Sequence, residues 1–136
     1  MEETHVWNAR LNLGHETLDR EHHLQLALVS ALADALERGR PRVARRLVEQ
    51  LAGYSSAHFA GEELLMEAAA YHHLDAHRQE HRDLLAMIAE TQQLVAADER
   101  DLAVMMALDL RTELGSHMSA SDRRFAELAE LPRDRQ

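Results

Sequence analysis

Residues 41–68 read PRVARRLVEQLAGYSSAHFAGEELLMEA. Val43, Leu47, Leu51, Tyr54, His58 and Leu65 recur at spacings of three, four or seven, so one side of the segment is apolar along its length. Gly39 ends whatever precedes it, and Pro41 falls in a first helical turn, where its fixed φ and missing N–H cost nothing. The segment reads as one long helix. His58 and Glu62 are four residues apart, so an imidazole and a carboxylate point the same way from it.

The same reading extends outward. Alternating β-branched runs are absent, and Ala, Leu, Glu and Arg are plentiful. A first helix is expected over about 18–37, with Leu26, Val29, Leu32, Ala33 and Leu36 on its apolar face. A third is expected over about 74–97, through Leu84, Leu85, Ile88 and Leu94. A fourth runs over about 98–128, with Asp98 as N-cap and Asp101 in the first turn. Short connections between helices of about 30–45 Å imply an all-α, antiparallel up-down-up-down four-helix bundle. Residues 1–17 read as a non-helical N-terminal arm, with Trp7, Leu11 and Leu13 packing across the bundle. Residues 18–130 form the four-helix domain, and residues 131–136 are a frayed tail.

Composition narrows the function. The chain has 136 residues, a net charge of -9, ten histidines and no cysteine. One domain of this length buries a core without staples. Without cysteine there is no disulfide, no thiolate metal site and no thiol nucleophile. An acidic chain does not neutralise phosphates, so nucleic acid is not an expected partner. No apolar window is long enough to span a bilayer, and the first residues lack the basic start and apolar run of a signal peptide. A cytoplasmic location and no membrane partner are expected.

The histidines carry the chemistry. His77 and His81 repeat the i,i+4 spacing on the third helix. His117 and Asp122 are five apart on the fourth; in a regular α-helix that step leaves them about 140° apart. Such a pair suits a carboxylate that bridges sideways, or a local distortion of the helix. The first helix adds His22 or His23. His5, His15, His72 and His73 read as surface residues, although His73 shares the face of His77 and His81. Four helices thus offer five imidazoles and two carboxylates to the bundle interior, where such proteins build metal sites. Neutral imidazoles with carboxylates suit borderline metals such as iron rather than calcium or magnesium. Seven donors exceed one tetrahedral site and match two metals that share bridging carboxylates.

The blocks Trp7, Gly14, Leu18-Asp19 with His22, Tyr54 with His58-Phe59, Glu62-Glu63, Met66, Tyr71, His77, His81, His117 and Asp122 together resemble the bacterial hemerythrins over nearly the whole chain. The resemblance selects His22 over His23, because His22 follows Asp19 by three residues. It implies two iron ions (Fe2+/Fe3+) with an oxo or hydroxo bridge. One iron takes His77, His81 and His117; the other takes His22 and His58 and keeps an open position; Glu62 and Asp122 bridge them. Dioxygen then binds at the open iron as a hydroperoxide, for storage, delivery or sensing. Leu26, Leu114 and Met118 are the implied apolar pocket walls. Three residues depart from the family pattern: Gln25 replaces an apolar residue, His72 a proline and Glu113 a tryptophan. Glu113 either tilts to solvent or lines the ligand pocket, where it would compete with dioxygen or supply protons. In the latter case the alternative function is a di-iron redox enzyme, a peroxidase, an oxidase or a nitric-oxide-reducing protein. Ferritin-like oxidases fit less well, because their Glu-x-x-His pairs are missing from the expected helices. A third reading is a bundle that binds zinc loosely and does not respond to dioxygen.

Overall fold

The computed structural model describes residue 11 and residues 13–128. The expected packing of Trp7, most of the N-terminal arm and the C-terminal tail lie outside the described residues. Helices α1 (Glu16–Glu37), α2 (Pro41–Ala68), α3 (Leu74–Ala96) and α4 (Arg100–His117) form a four-helix bundle, with no strand among the described residues. The fourth helix continues through a π-helical turn, Met118–Asp122, into α5 (Arg123–Leu128). Each long helix packs against two others: α1 against α2 and α4, and α3 against the same two.

Local chemistry sets the ends. The α1 helix starts two residues earlier than expected, because the His15 side chain accepts from the Leu18 amide and caps it. Asp19 then takes the Leu13 and Gly14 amides at 2.8 and 3.1 Å, fastening the preceding chain to the first turn. The three connections between the long helices share one device. Gly39, Ala70 and Asp98 each adopt positive φ just after a helix, and each is flanked by amides that return to carbonyls of its last turn. Glycine is at home in that conformation; Ala70 and Asp98 adopt it at some cost. Asp98 is therefore not the N-cap of α4. It belongs to the turn that closes α3, and Glu99 takes the capping position without a side-chain bond. Pro41 does occupy the first turn of α2. Arg100 closes the loop end of the bundle, donating to the carbonyls of Leu36 at 2.8 Å and of Glu37.

The apolar face of each helix is buried. Leu26, Val29, Leu32 and Leu36 meet Ala44, Val48 and Leu51 of α2, Ile88 and Val95 of α3 and Ala103, Ala107 and Leu110 of α4 in one core. Burial of each large aliphatic side chain contributes about 1.5–3 kcal/mol. Leu11 and Leu13 are also buried. One expected core residue is displaced: Leu65 is 46 % exposed, and Met66 is buried in its place. The buried stripe of α2 runs through Ala44, Val48, Leu51, Ser55, Phe59, Glu62 and Met66, so Val43, Leu47, Tyr54 and Leu65 flank it rather than fill it. Beyond this apolar part the same interior positions become polar: His22, His58, Glu62, His77, His81, His117 and Asp122 are all buried.

Candidate metal centre

Each wall of the bundle contributes. His22 comes from α1, His58 and Glu62 from α2, His77 and His81 from α3, and His117 from the end of α4. Asp122 comes from the π turn. A π turn fits one more residue into each hydrogen-bonded ring than an α turn. That extra residue swings Asp122 back onto the face of His117, removing the 140° offset of a regular helix. Of the two neighbouring histidines in α1, His22 is completely buried and His23 is exposed.

The two carboxylates sit between two groups of imidazoles. Glu62 Oε1 lies 2.9 Å from both His77 Nε2 and His81 Nε2, while its Oε2 lies 3.5 Å from His22 Nε2 and 3.6 Å from His58 Nε2. Asp122 divides in the same way. Its Oδ1 is 2.9 Å from His77 Nε2 and 3.1 Å from His117 Nε2, and its Oδ2 is 3.0 Å from His22 Nε2. Each carboxylate thus turns one oxygen to each side. The donors fall into two sets whose atoms lie within 4.8 Å of one another: Glu62, His77, His81, His117 and Asp122, and His22, His58 and Glu62.

Outer carboxylates hold three of the rings. The Nδ1–H of His58 donates to Glu21 at 2.7 Å, that of His81 to Glu63 at 2.6 Å, and that of His117 to Glu80 at 2.7 Å. Glu80 also accepts from the Ser121 hydroxyl at 2.6 Å. Such bonds fix the tautomer, so that Nε2 carries the lone pair and faces inward. Phe59 stacks on His81, its ring centre 4.1 Å away.

The inward atoms want a cation. His22 Nε2, His58 Nε2, His117 Nε2, Glu62 Oε2 and both Asp122 oxygens are buried without hydrogen-bond partners. A neutral imidazole has one N–H, already given to Glu63 in His81 and to Glu80 in His117, so a second carboxylate at Nε2 needs a proton or a metal. The electrostatics of the apoprotein agree. Burial pushes the His22 pKa down, but the charges of Asp122 and Glu62 outweigh it and leave His22 at about 9. His77 and His117 are raised for the same reason, against their own burial. Glu62 and Asp122 are held well below the usual carboxylate range, where the imidazoles outweigh the opposing burial. The His117 ring likewise holds Glu80 down at about 2. Metal–ligand bonds of about 2.1 Å at right angles place neighbouring donors about 3 Å apart, close to the shorter contacts here. The residues present therefore fit metal ions.

The remaining expectations divide. Leu26, Leu114 and Met118 are buried, each within about one helical turn of His22 or His117 along the chain. Glu113 is not with them. It is exposed, on a surface cleft shared with Glu80, Asp83 and the outer side of His117. His72 and His73 are exposed, and His73 has no place beside His77. Sequence reasoning gave Glu21, Glu63 and Glu80 no role, although Glu63 lies in one of the blocks that carry the resemblance. Each adjoins a cluster residue in the chain, but each bonds a histidine 18 or 37 positions away on another helix. Only the acidic neighbour itself was visible as a signal.

The Hemerythrin HHE cation binding domain matches residues 13–129 of the chain. The bacteriohemerythrin of Stenotrophomonas maltophilia is 27% identical over 122 residues, covering 90% of this chain and 79% of that protein. That of Ralstonia nicotianae is 29% identical over 117 residues, 86% of this chain and 82% of the relative. Myohemerythrin-1 of Phascolopsis gouldii is 30% identical over 87 residues, 63% and 67% of the two chains. Because the domain match runs the length of the bundle and includes every residue of the buried cluster, this chain belongs to the hemerythrin family, and it has the residues to hold that family's di-iron centre.

Proposed function

We propose that the chain binds dioxygen reversibly, for storage, delivery or sensing, and that residues 18–130 are the functional unit. The observation that carries this reading is the unequal division of the cluster: a five-residue set on one side and a three-residue set on the other, joined through Glu62. His77, His81 and His117 would hold one iron, and His22 and His58 the other. Glu62 and Asp122, with an oxygen turned to each side, would bridge them. Such a centre supplies two electrons that can be lent to dioxygen and recovered.

The chain's own residues set the conditions for that exchange. Leu26, Leu114 and Met118 are completely or almost completely buried and keep bulk water from the site. Glu21 keeps the His58 ring turned inward. A cleft lined by Leu18, Tyr54, Gly61 and Leu65 reaches His58 and Glu62 from the surface, on the side with fewer donors. Glu113 is exposed on the outer side of His117, which disfavours the redox-enzyme reading that gave it a part in the ligand pocket. The three- to five-residue connections support an antiparallel up-down-up-down course for the helices.

The test is anaerobic reconstitution with ferrous iron, addition of dioxygen, and measurement of the visible spectrum and iron content. A band that appears with dioxygen and fades under vacuum is expected. Direct, irreversible oxidation would overturn reversible binding in favour of a redox enzyme.

A further inference from the structure

Gln25 is completely buried, one helical turn beyond His22 on the same face of α1. Its Nε2 donates to the Ser55 hydroxyl at 2.7 Å. Ser55 is also completely buried, one turn before His58 on α2. The pair forms a polar rung between α1 and α2, next to the two histidines of the less filled side. Around it the core is apolar: Leu26, Val29, Leu51 and Phe59 are all buried.

The Gln25 carbonyl oxygen Oε1 has no hydrogen-bond partner. Leaving a buried acceptor unpaired is costly, and an apolar residue of the same length at this position would avoid that cost. A hydroxyl both donates and accepts, so the carboxamide can turn over and keep its bond to Ser55. It can therefore offer either a carbonyl or an N–H to a third group.

We infer that the Gln25–Ser55 pair is a hydrogen-bonding site for a small polar ligand, an anion or a hydroxylic molecule of two or three heavy atoms, seated on the His22–His58 side of the cluster. The inference rests on the reading of His22 and His58 as ligands of the less filled iron. It makes Gln25 a specificity-determining residue for ligands that form a hydrogen bond when bound. The competing partner for Oε1 is His22 Nδ1, which is also buried and unpaired.

The experiment compares wild type with Gln25→Met, an apolar side chain of similar length, and with Ser55→Ala. Iron content is measured first; a wild type that holds no iron pair defeats the dioxygen-binding reading before any variant is examined. Thermal melting of the metal-free proteins follows. Gln25→Met is expected to melt a few degrees higher, having lost an unpaired carbonyl. Azide is then titrated into the iron(III)-loaded proteins and followed in the visible spectrum. With unchanged iron content, Gln25→Met is expected to weaken azide binding about tenfold, and Ser55→Ala about threefold. Unchanged or tighter azide binding by Gln25→Met overturns the inference. So does loss of iron in that variant, which would show that Gln25 serves His22 instead.

Discussion

On the α3–α4 side of the cluster, three imidazoles meet one oxygen of Glu62 and one of Asp122; on the α1–α2 side, two imidazoles meet the other oxygens. The first side is also better braced. His81 and His117 are tied to Glu63 and Glu80, and Glu80 is itself held by Ser121. On the second side only His58 has such a tie, to Glu21, while His22 Nδ1 is unpaired and the neighbouring polar residue is the neutral Gln25. One bundle thus builds a half with more donors and more ties and a half with fewer of each. Glu62 and Asp122, each with an oxygen on either side, link the two halves.

The largest expected effect breaks the half with more donors. His81→Ala removes an imidazole facing the shared oxygen of Glu62, leaving buried carboxylates without compensation, at a cost of about 3–5 kcal/mol. Loss of both irons and a much lower melting temperature are expected. His58→Ala leaves the five-residue set intact and should retain about one iron per chain. Iron analysis beside thermal melting distinguishes the two variants, and equal losses would contradict the asymmetry.

Proton and metal are alternative partners for the same atoms, which gives opposite pH responses. In the metal-free protein His22 is raised from 6.5 to about 9. Its contribution is complete below pH 6.5 and fades as pH rises through about 9; the shift corresponds to about 3 kcal/mol. Glu62 and Asp122 are depressed, so their contribution is complete above their unfolded pKa values and is lost as pH falls. The apoprotein should therefore be most stable between about pH 4.5 and 6.5. The iron-loaded protein should instead lose stability as pH falls from 8 to 5, because the metal needs unprotonated imidazoles. Melting curves of both forms across pH 4–10 check the crossing.

Smaller effects sharpen the contrast in bracing. Glu63→Gln on the α3–α4 side and Glu21→Gln on the α1–α2 side should each weaken iron binding by about 10–100-fold, as measured by competition with a chelator. Glu21→Gln should alter the exchange of exogenous ligands as well; Glu63→Gln should not. The smallest effect belongs to Glu113→Leu. This exposed residue should change stability by less than about 0.5 kcal/mol and leave iron content and the dioxygen-dependent spectrum as in wild type.

The helices were legible because their apolar spacing and breakers are local features: Pro41 and Gly39 stand in the structure where their chemistry places them. Asp98 misled because a good capping residue is also tolerated in the left-handed conformation that ends a helix, and the hydrogen bonds of α3 decided between the two. The pairs His58/Glu62 and His77/His81 were visible because one helix carries both members. The five-residue step to Asp122 signalled either a bridging side chain or a distorted helix, and the structure contains both an interposed carboxylate and a π turn.

The sequence by itself determined the donor types, their assignment to four helices and the family, since these follow from residue identity and short-range periodicity. Only the tertiary structure decided which oxygen of each carboxylate faces which histidine, which outer glutamate holds which ring, that Glu113 faces solvent and that Gln25 is buried with a free carbonyl. Those outcomes depend on the rotation of each helix about its own axis. A turn of about 100° exchanges one residue for its neighbour, and the packing of the helices against one another sets that rotation.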